Sequence, residues 1–199
     1  LNQGGLAMKA IIRALIGLLA LSVCLVLAAP SAAARTTPAA PGAVTAAARA
    51  AVVEDLPAWP VISQGSAGQP VRSLQYLLHA RGAWLAVDGI FGAKTNAAVR
   101  TFQGAHGLVV DGIVGSKTWR SLIITVQRGS VGSAVKAVQD QANFRGGRGE
   151  GPPVLVVDGV FGPKTQQWVA AFQGAAGLVP DGIVGPLTWQ ALIGGLFSG

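Results

Sequence analysis

Asp88-Gly89-Ile90-Phe91-Gly92-Ala93-Lys94-Thr95 is the stretch that decides the fold, because the chain writes it four times. It returns as Asp111-Gly112-Ile113-Val114-Gly115-Ser116-Lys117-Thr118, as Asp158-Gly159-Val160-Phe161-Gly162-Pro163-Lys164-Thr165, and as Asp181-Gly182-Ile183-Val184-Gly185-Pro186-Leu187-Thr188. Each copy sets a turn dipeptide before two apolar residues, a glycine and a segment able to start a helix. Asp accepts backbone hydrogen bonds within a turn, and Gly adopts the positive φ that a Cβ resists. Gly162-Pro163 and Gly185-Pro186 read as N-cap and first helical position, where proline's missing N–H costs nothing. The phrase is a turn, an apolar plug and a helix start.

Working outward, the four phrases belong to two longer repeats. Gly65-Ser66-Ala67-Gly68 opens the first and Gly129-Ser130-Val131-Gly132 the second, an offset of 64 residues. From Val87 and Val157 onward the offset is 70, so the second repeat carries six extra residues within Asn143–Val154. Val71, Leu74 and Leu78 lie on one face of a predicted helix, Thr95, Ala98, Val99 and Phe102 on a second, and Trp119, Leu122 and Ile123 on a short third. The second repeat answers with Val135, Val138 and Ala142, then Thr165, Trp168, Val169 and Phe172, then Trp189, Leu192 and Ile193. Val87-Asp88-Gly89-Ile90 also suits a two-residue hairpin turn between strands. A glycine three residues on, followed at once by a helical face, leaves such strands no length. The reading is all-α: two tandem three-helix domains, 58–124 and 125–199. Units this small bury a thin core, which favours docking of one on the other.

Ahead of the repeats, Met8 looks a more natural start than Leu1. Lys9 and Arg13 precede an apolar run from Ala14 to Ala29, and Pro30-Ser31-Ala32-Ala33-Ala34 follows. Basic, apolar, small-residue: this is the order of a secretory signal over residues 1–34, cleaved after Ala34. The run is short for a membrane span, so contact with a membrane is expected only through this segment before cleavage. Residues 35–57, rich in Ala, Pro and Thr, read as a disordered linker. The lone cysteine, Cys24, lies inside the apolar run, leaving the exported chain without disulfides.

The formal charge is +7; without Lys9 and Arg13 there remain 13 basic and 8 acidic side chains. That excess suits polyanionic surfaces, and with no Lys/Arg run nucleic acid is not expected as a partner.

The four Asp-Gly turns invite a calcium reading, which fails on ligand spacing. An EF-hand loop needs oxygen ligands two and four residues before its Asp-Gly and a closing Glu. Ala86 and Trp84 precede Asp88, Thr95 stands at the closing position, and Val179 and Gly177 precede Asp181. Zinc hydrolysis needs about three protein ligands, and the only histidines are His79 and His106. Glycoside hydrolysis needs two carboxylates facing one bond. Here the acids outside the turns are Glu54 and Asp55 in the linker, Asp140, and Glu150 in a glycine-rich loop. No catalytic constellation and no cofactor site is predicted.

The assembled pattern resembles the three-helix peptidoglycan-binding domain of bacterial cell-wall hydrolases. In the first repeat the resemblance rests on Gly68, Val71, Leu74-Gln75, Gly82, Val87–Gly92, Thr95, Ala98-Val99, Phe102-Gln103, Gly107-Leu108, Asp111–Gly115 and Thr118-Trp119. It covers nearly all of 61–123, and in the second repeat Gly132–Gln139 and Val157–Ile193, lapsing at the insertion. Val138 stands where the family has leucine, and Trp168 where the first repeat has Ala98. The resemblance implies non-covalent binding to peptidoglycan, usually beside a catalytic domain on the same chain. The expectation is therefore a secreted, non-enzymatic protein of the cell wall. The alternative is a targeting subunit, inhibitor or remnant of a hydrolase whose catalytic part is another chain.

Eight residues are candidate contacts to peptidoglycan, glycan or stem peptide. Gln75 and Gln139 recur at equivalent places, where the plainer role is to hold loop backbone. Phe91 and Phe161 are the aromatic plugs, and Lys94 and Lys164 stand where they can meet wall carboxylates. Trp84 lies in a loop before the first Asp-Gly turn. Trp168 either fills space beside the insertion or faces a ligand. Lys117 has no counterpart, because Leu187 replaces it. Trp119 and Trp189 read as core.

Overall fold

The computed structural model describes residues 56–146 and 154–195. The predicted signal over 1–34, the linker up to residue 55 and the centre of the insertion lie outside the described residues. Each repeat contributes three helices: α1 (Gln69–Ala80), α2 (Ala93–Ala105) and α3 (Ser116–Leu122), then α4 (Ser133–Gly146), α5 (Pro163–Ala175) and α6 (Pro186–Ile193). Among the described residues there is no strand, only four isolated antiparallel bridges.

Those bridges explain the plug. An extended segment before α1 runs between the two turns of the first repeat, with Ala67 bridging Ile90 and Ile62 bridging Val114. Two residues of extended chain put alternate side chains on opposite sides. So each apolar pair splits: Phe91 and Val114 are fully buried, while Ile90 and Ile113 are exposed at 58% and 43%. The second repeat repeats this with Val131 to Val160 and Val126 to Val184. The hairpin of the rival reading is absent here; the turn pairs with the incoming segment instead.

The predicted faces are the buried ones. Val71, Leu74, Leu78, Val99, Phe102, Trp119 and Leu122 pack around Phe91 and Val114, and Val135, Val138, Val169, Phe172, Trp189 and Leu192 pack around Phe161 and Val184. Trp119 donates its indole N–H to the Pro60 carbonyl (2.8 Å), and Trp189 donates to that of Ile124 (2.8 Å). Each tryptophan thus fills the centre and fixes the entering strand-like segment, as a buried indole with a satisfied N–H does.

The two repeats share one compact unit. Besides the row facing its own core, α1 buries Gln69, Ser73 and Leu77; α4 likewise buries Ala134, Ala137 and Gln141. Across this seam Arg72 holds Asp140 through Nε (2.9 Å) and Nη2 (2.7 Å), Gln69 adds a bond to Asp140 (2.7 Å), and Gln141 donates to Ser73 Oγ (2.8 Å). The folded part also reaches into the predicted linker: Leu56 is buried, and the Pro57 carbonyl accepts from Gln190 Nε2 at 3.1 Å on α6. Trp59 stacks on Trp119 at 6.0 Å between ring centroids.

Candidate functional site

The Asp-Gly phrase is tied to the preceding helix by one glutamine. In the first copy Gln75 Nε2 donates to Asp88 Oδ1 (2.7 Å) and to the Ile90 carbonyl (3.1 Å), while its Oε1 accepts the Gly89 N–H (2.9 Å). Asp88 Oδ1 also accepts the Ile90 N–H at 2.9 Å. Thr95 Oγ1, from the next helix, lies within reach of both the glutamine amide and the Ile90 carbonyl. Gln103 with Asp111 and Thr118, Gln139 with Asp158 and Thr165, and Gln173 with Asp181 and Thr188 build the same node. Gly89, Gly112, Gly159 and Gly182 have φ of 76°, 73°, 81° and 71°, so the turn needs glycine at its second position.

These bonds act on the carboxylates. Hydrogen bonds from Gln75 and from the Ile90 N–H hold Asp88 below the ordinary carboxylate range. For Asp111 the Ile113 N–H leads, followed by Gln103, and for Asp158 the Val160 N–H leads, followed by Gln139. Every named oxygen is spent on the turn. Among the described residues no three His, Cys, Asp or Glu side chains cluster.

This arrangement sorts the eight candidates. Gln75 and Gln139 are 1% and 2% exposed, and Phe91 and Phe161 are 0% and 1% exposed, so these four have no surface to offer a polymer. They are buried because the node and the plug consume them: the amides join two helices to a turn, and the rings fill the core. Trp84 is the reverse, 93% exposed on the loop after α1, with the His79 ring at 6.0 Å between centroids. Lys94 and Lys164 are exposed on the first turns of α2 and α5. Trp168 is half-buried and stacks on Phe172 at 5.4 Å, inclined by 9°. The four accessible candidates stand on three separate elements.

What sequence reasoning did not find is a groove of about 380 Å³ beside the second Asp-Gly turn of the first repeat. Its floor is Gln103 and Thr118; its walls are Leu108, Val109, Asp111 and Ile113 on one side, and Ser116 and Lys117 on the other. Arg100 braces the outer wall by donating to the carbonyls of Val110 and Asp111, both at 2.9 Å. A signal for it was present in the sequence: Gly107-Leu108-Val109-Val110 places apolar residues outside any helical face. The concavity itself depends on how α2 and α3 meet, which periodicity does not report.

The described residues form an all-helical pair of turn-linked three-helix repeats, with a groove beside one of the turns. The family model for "Putative peptidoglycan binding domain" matches residues 67–122 and 131–192, so the chain belongs to that family. Over 64 residues the chain is 47% identical to the zinc D-Ala-D-Ala carboxypeptidase of Streptomyces albus G, a match covering 31% of this chain and 25% of that protein. It is 44% identical over 64 residues to the spore cortex-lytic enzyme of Bacillus cereus, covering 32% of this chain and 25% of the enzyme. The chain therefore spans about a quarter of the length of these two relatives. Among solved structures, the SleB N-terminal domain is 44% identical, with 32% of this chain and 88% of that one covered and a TM-score of 0.31.

Proposed function

We propose that this chain is a secreted, non-catalytic cell-wall protein that holds peptidoglycan through its helical repeats. Family membership over both repeats is the observation that carries this reading. The first-repeat groove is of small-ligand size and mixes apolar walls with a few polar groups, as binding sites do. Trp84 offers a free ring face to a sugar, and Lys94 and Lys164 offer charge to wall carboxylates. Trp168 joins them from the middle of α5. Export would follow from the predicted signal over residues 1–34.

A second reading comes from the matched relatives, in which this module is a minor part of a larger enzyme. Here the chain would serve a hydrolase carried on another polypeptide, as targeting subunit or as inhibitor. Co-sedimentation of the full chain with purified insoluble peptidoglycan tests the main reading, and most of the protein is expected in the pellet. Protein left in the supernatant at all wall concentrations overturns it. A clearing zone on a gel with embedded wall material would overturn the non-catalytic part.

A further inference from the structure

We propose that the two repeats are not two copies of one site: the groove beside the second Asp-Gly turn of the first repeat is built to hold a carboxylate of the wall peptide, and the matching place in the second repeat is not. This rests on the peptidoglycan-binding reading and deepens it. From Val87 onward the two repeats correspond position by position at an offset of 70 residues.

Charge comes first. Around the first groove stand Lys117, Arg100 and Asp111, a net of one positive charge. The corresponding positions in the second repeat are Leu187, Ala170 and Asp181, a net of one negative charge. An anion entering the first place meets an ammonium that makes no intramolecular salt bridge among the described residues. At the second place it meets only a like charge. Ser116, a hydroxyl on the first wall, becomes Pro186.

Shape agrees with charge. Leu108 is half-buried where Leu178 is buried. Ile113 is 43% exposed where Ile183 is half-buried. Val109 is 77% exposed where Val179 is 48% exposed. Leu187 packs against the core, whereas Lys117 is exposed. At four matched positions the second repeat is the more closed. Replacing a lysine by leucine there converts a charged wall into core cover.

The test uses the full chain and sedimentation with teichoic-acid-free peptidoglycan, native or with its carboxyls converted to amides. Val109→Glu and Val179→Glu put the same charge at matched exposed positions. We expect V109E to weaken binding by about tenfold and V179E by less than twofold. Lys117→Leu should likewise lose about tenfold, while Arg120→Gln, removing one exposed charge from the same helix, should lose less than twofold. On amidated wall, wild type and K117L should bind alike. Equal losses for V109E and V179E, or a K117L defect that survives amidation or is matched by R120Q, overturn the proposal. Wild type that stays soluble with native wall overturns the wider reading instead. Thermal melts of each variant separate lost binding from lost folding.

Discussion

Gln103 shows how much one side chain settles here. Its amide bonds the carboxylate of Asp111 and the carbonyl of Ile113, both near 3 Å, and receives the Gly112 N–H. A buried amide is tolerated only when its groups are paired, and this one pairs three groups that an open turn would leave to water. The same bonds stabilise the charged form of Asp88, Asp111 and Asp158, so their folded values lie below those of an unfolded chain. The sign follows from linkage: a depressed carboxylate contributes stability above the unfolded value, and loses it as pH falls through the folded one. The melting temperature should stay level from pH 7 down to about 5 and fall once pH drops below about 4. Asn at 88, 111 and 158 together keeps an acceptor but removes the charge. That variant should melt lower than wild type at pH 7, and the two curves should converge as pH falls through the depressed folded values. Parallel curves throughout would show that these carboxylates do not distinguish the folded from the unfolded chain. Because hydrogen bonds rather than distant charges lead the effect, added salt should change it little.

At the scale of the helix, the faces and the glycine starts were legible, and the C-terminal closures were not. Val71, Leu74 and Leu78, or Val135, Val138 and Ala142, announce themselves by spacing, and all are buried. Gly89 and its three counterparts were readable as positive-φ turns, since few other residues adopt that geometry. Phe91 and Phe161 looked available to a ligand because a two-residue apolar plug does not reveal which member turns inward. Nor did sequence reveal Arg81. From the end of α1 it donates to the carbonyls of Ser121, Leu122 and Ile123, at 2.9, 3.1 and 3.0 Å, closing the C-terminus of α3. Arg145, 64 residues on, does the same for the carbonyls of Ala191 and Leu192. The partners are some 40 residues apart in the chain, beyond any local pattern. A helix of seven residues has little cooperativity of its own, so this clamp should matter. Arg81→Ala should cost about 1–2 kcal/mol in denaturant unfolding. Arg81→Lys should recover less than half, since an ammonium cannot spread over three carbonyls as a guanidinium does. A lysine variant as stable as wild type would reduce the clamp to a matter of charge alone.

For the molecule as a whole, the question is whether two repeats make one cooperative body. Tandem modules joined by a short connection are often independent, and sequence suggested only that docking was favoured. The structure gives α1 two buried rows. Val71, Leu74 and Leu78 serve its own core, and Gln69, Ser73 and Leu77 serve the seam with α4. Asp140 is 13% exposed and depends on Arg72 and Gln69, both from the other repeat. The segment at Leu56 and Pro57 adds a further tie, since it precedes the first repeat yet bonds Gln190 in the second. Either repeat made alone would expose Leu77 or Ala137 and leave Arg72 or Asp140 unpaired. We therefore expect one calorimetric unfolding transition, with calorimetric and van't Hoff enthalpies that agree. Arg72→Ala leaves a largely buried carboxylate with one partner, and should cost about 1–3 kcal/mol. Part of that loss should appear as broadening, as the seam weakens and the repeats begin to melt apart. Two resolved transitions in the wild type, or an R72A variant with unchanged melting, would show that the seam is a contact without coupling and that each repeat stands by itself.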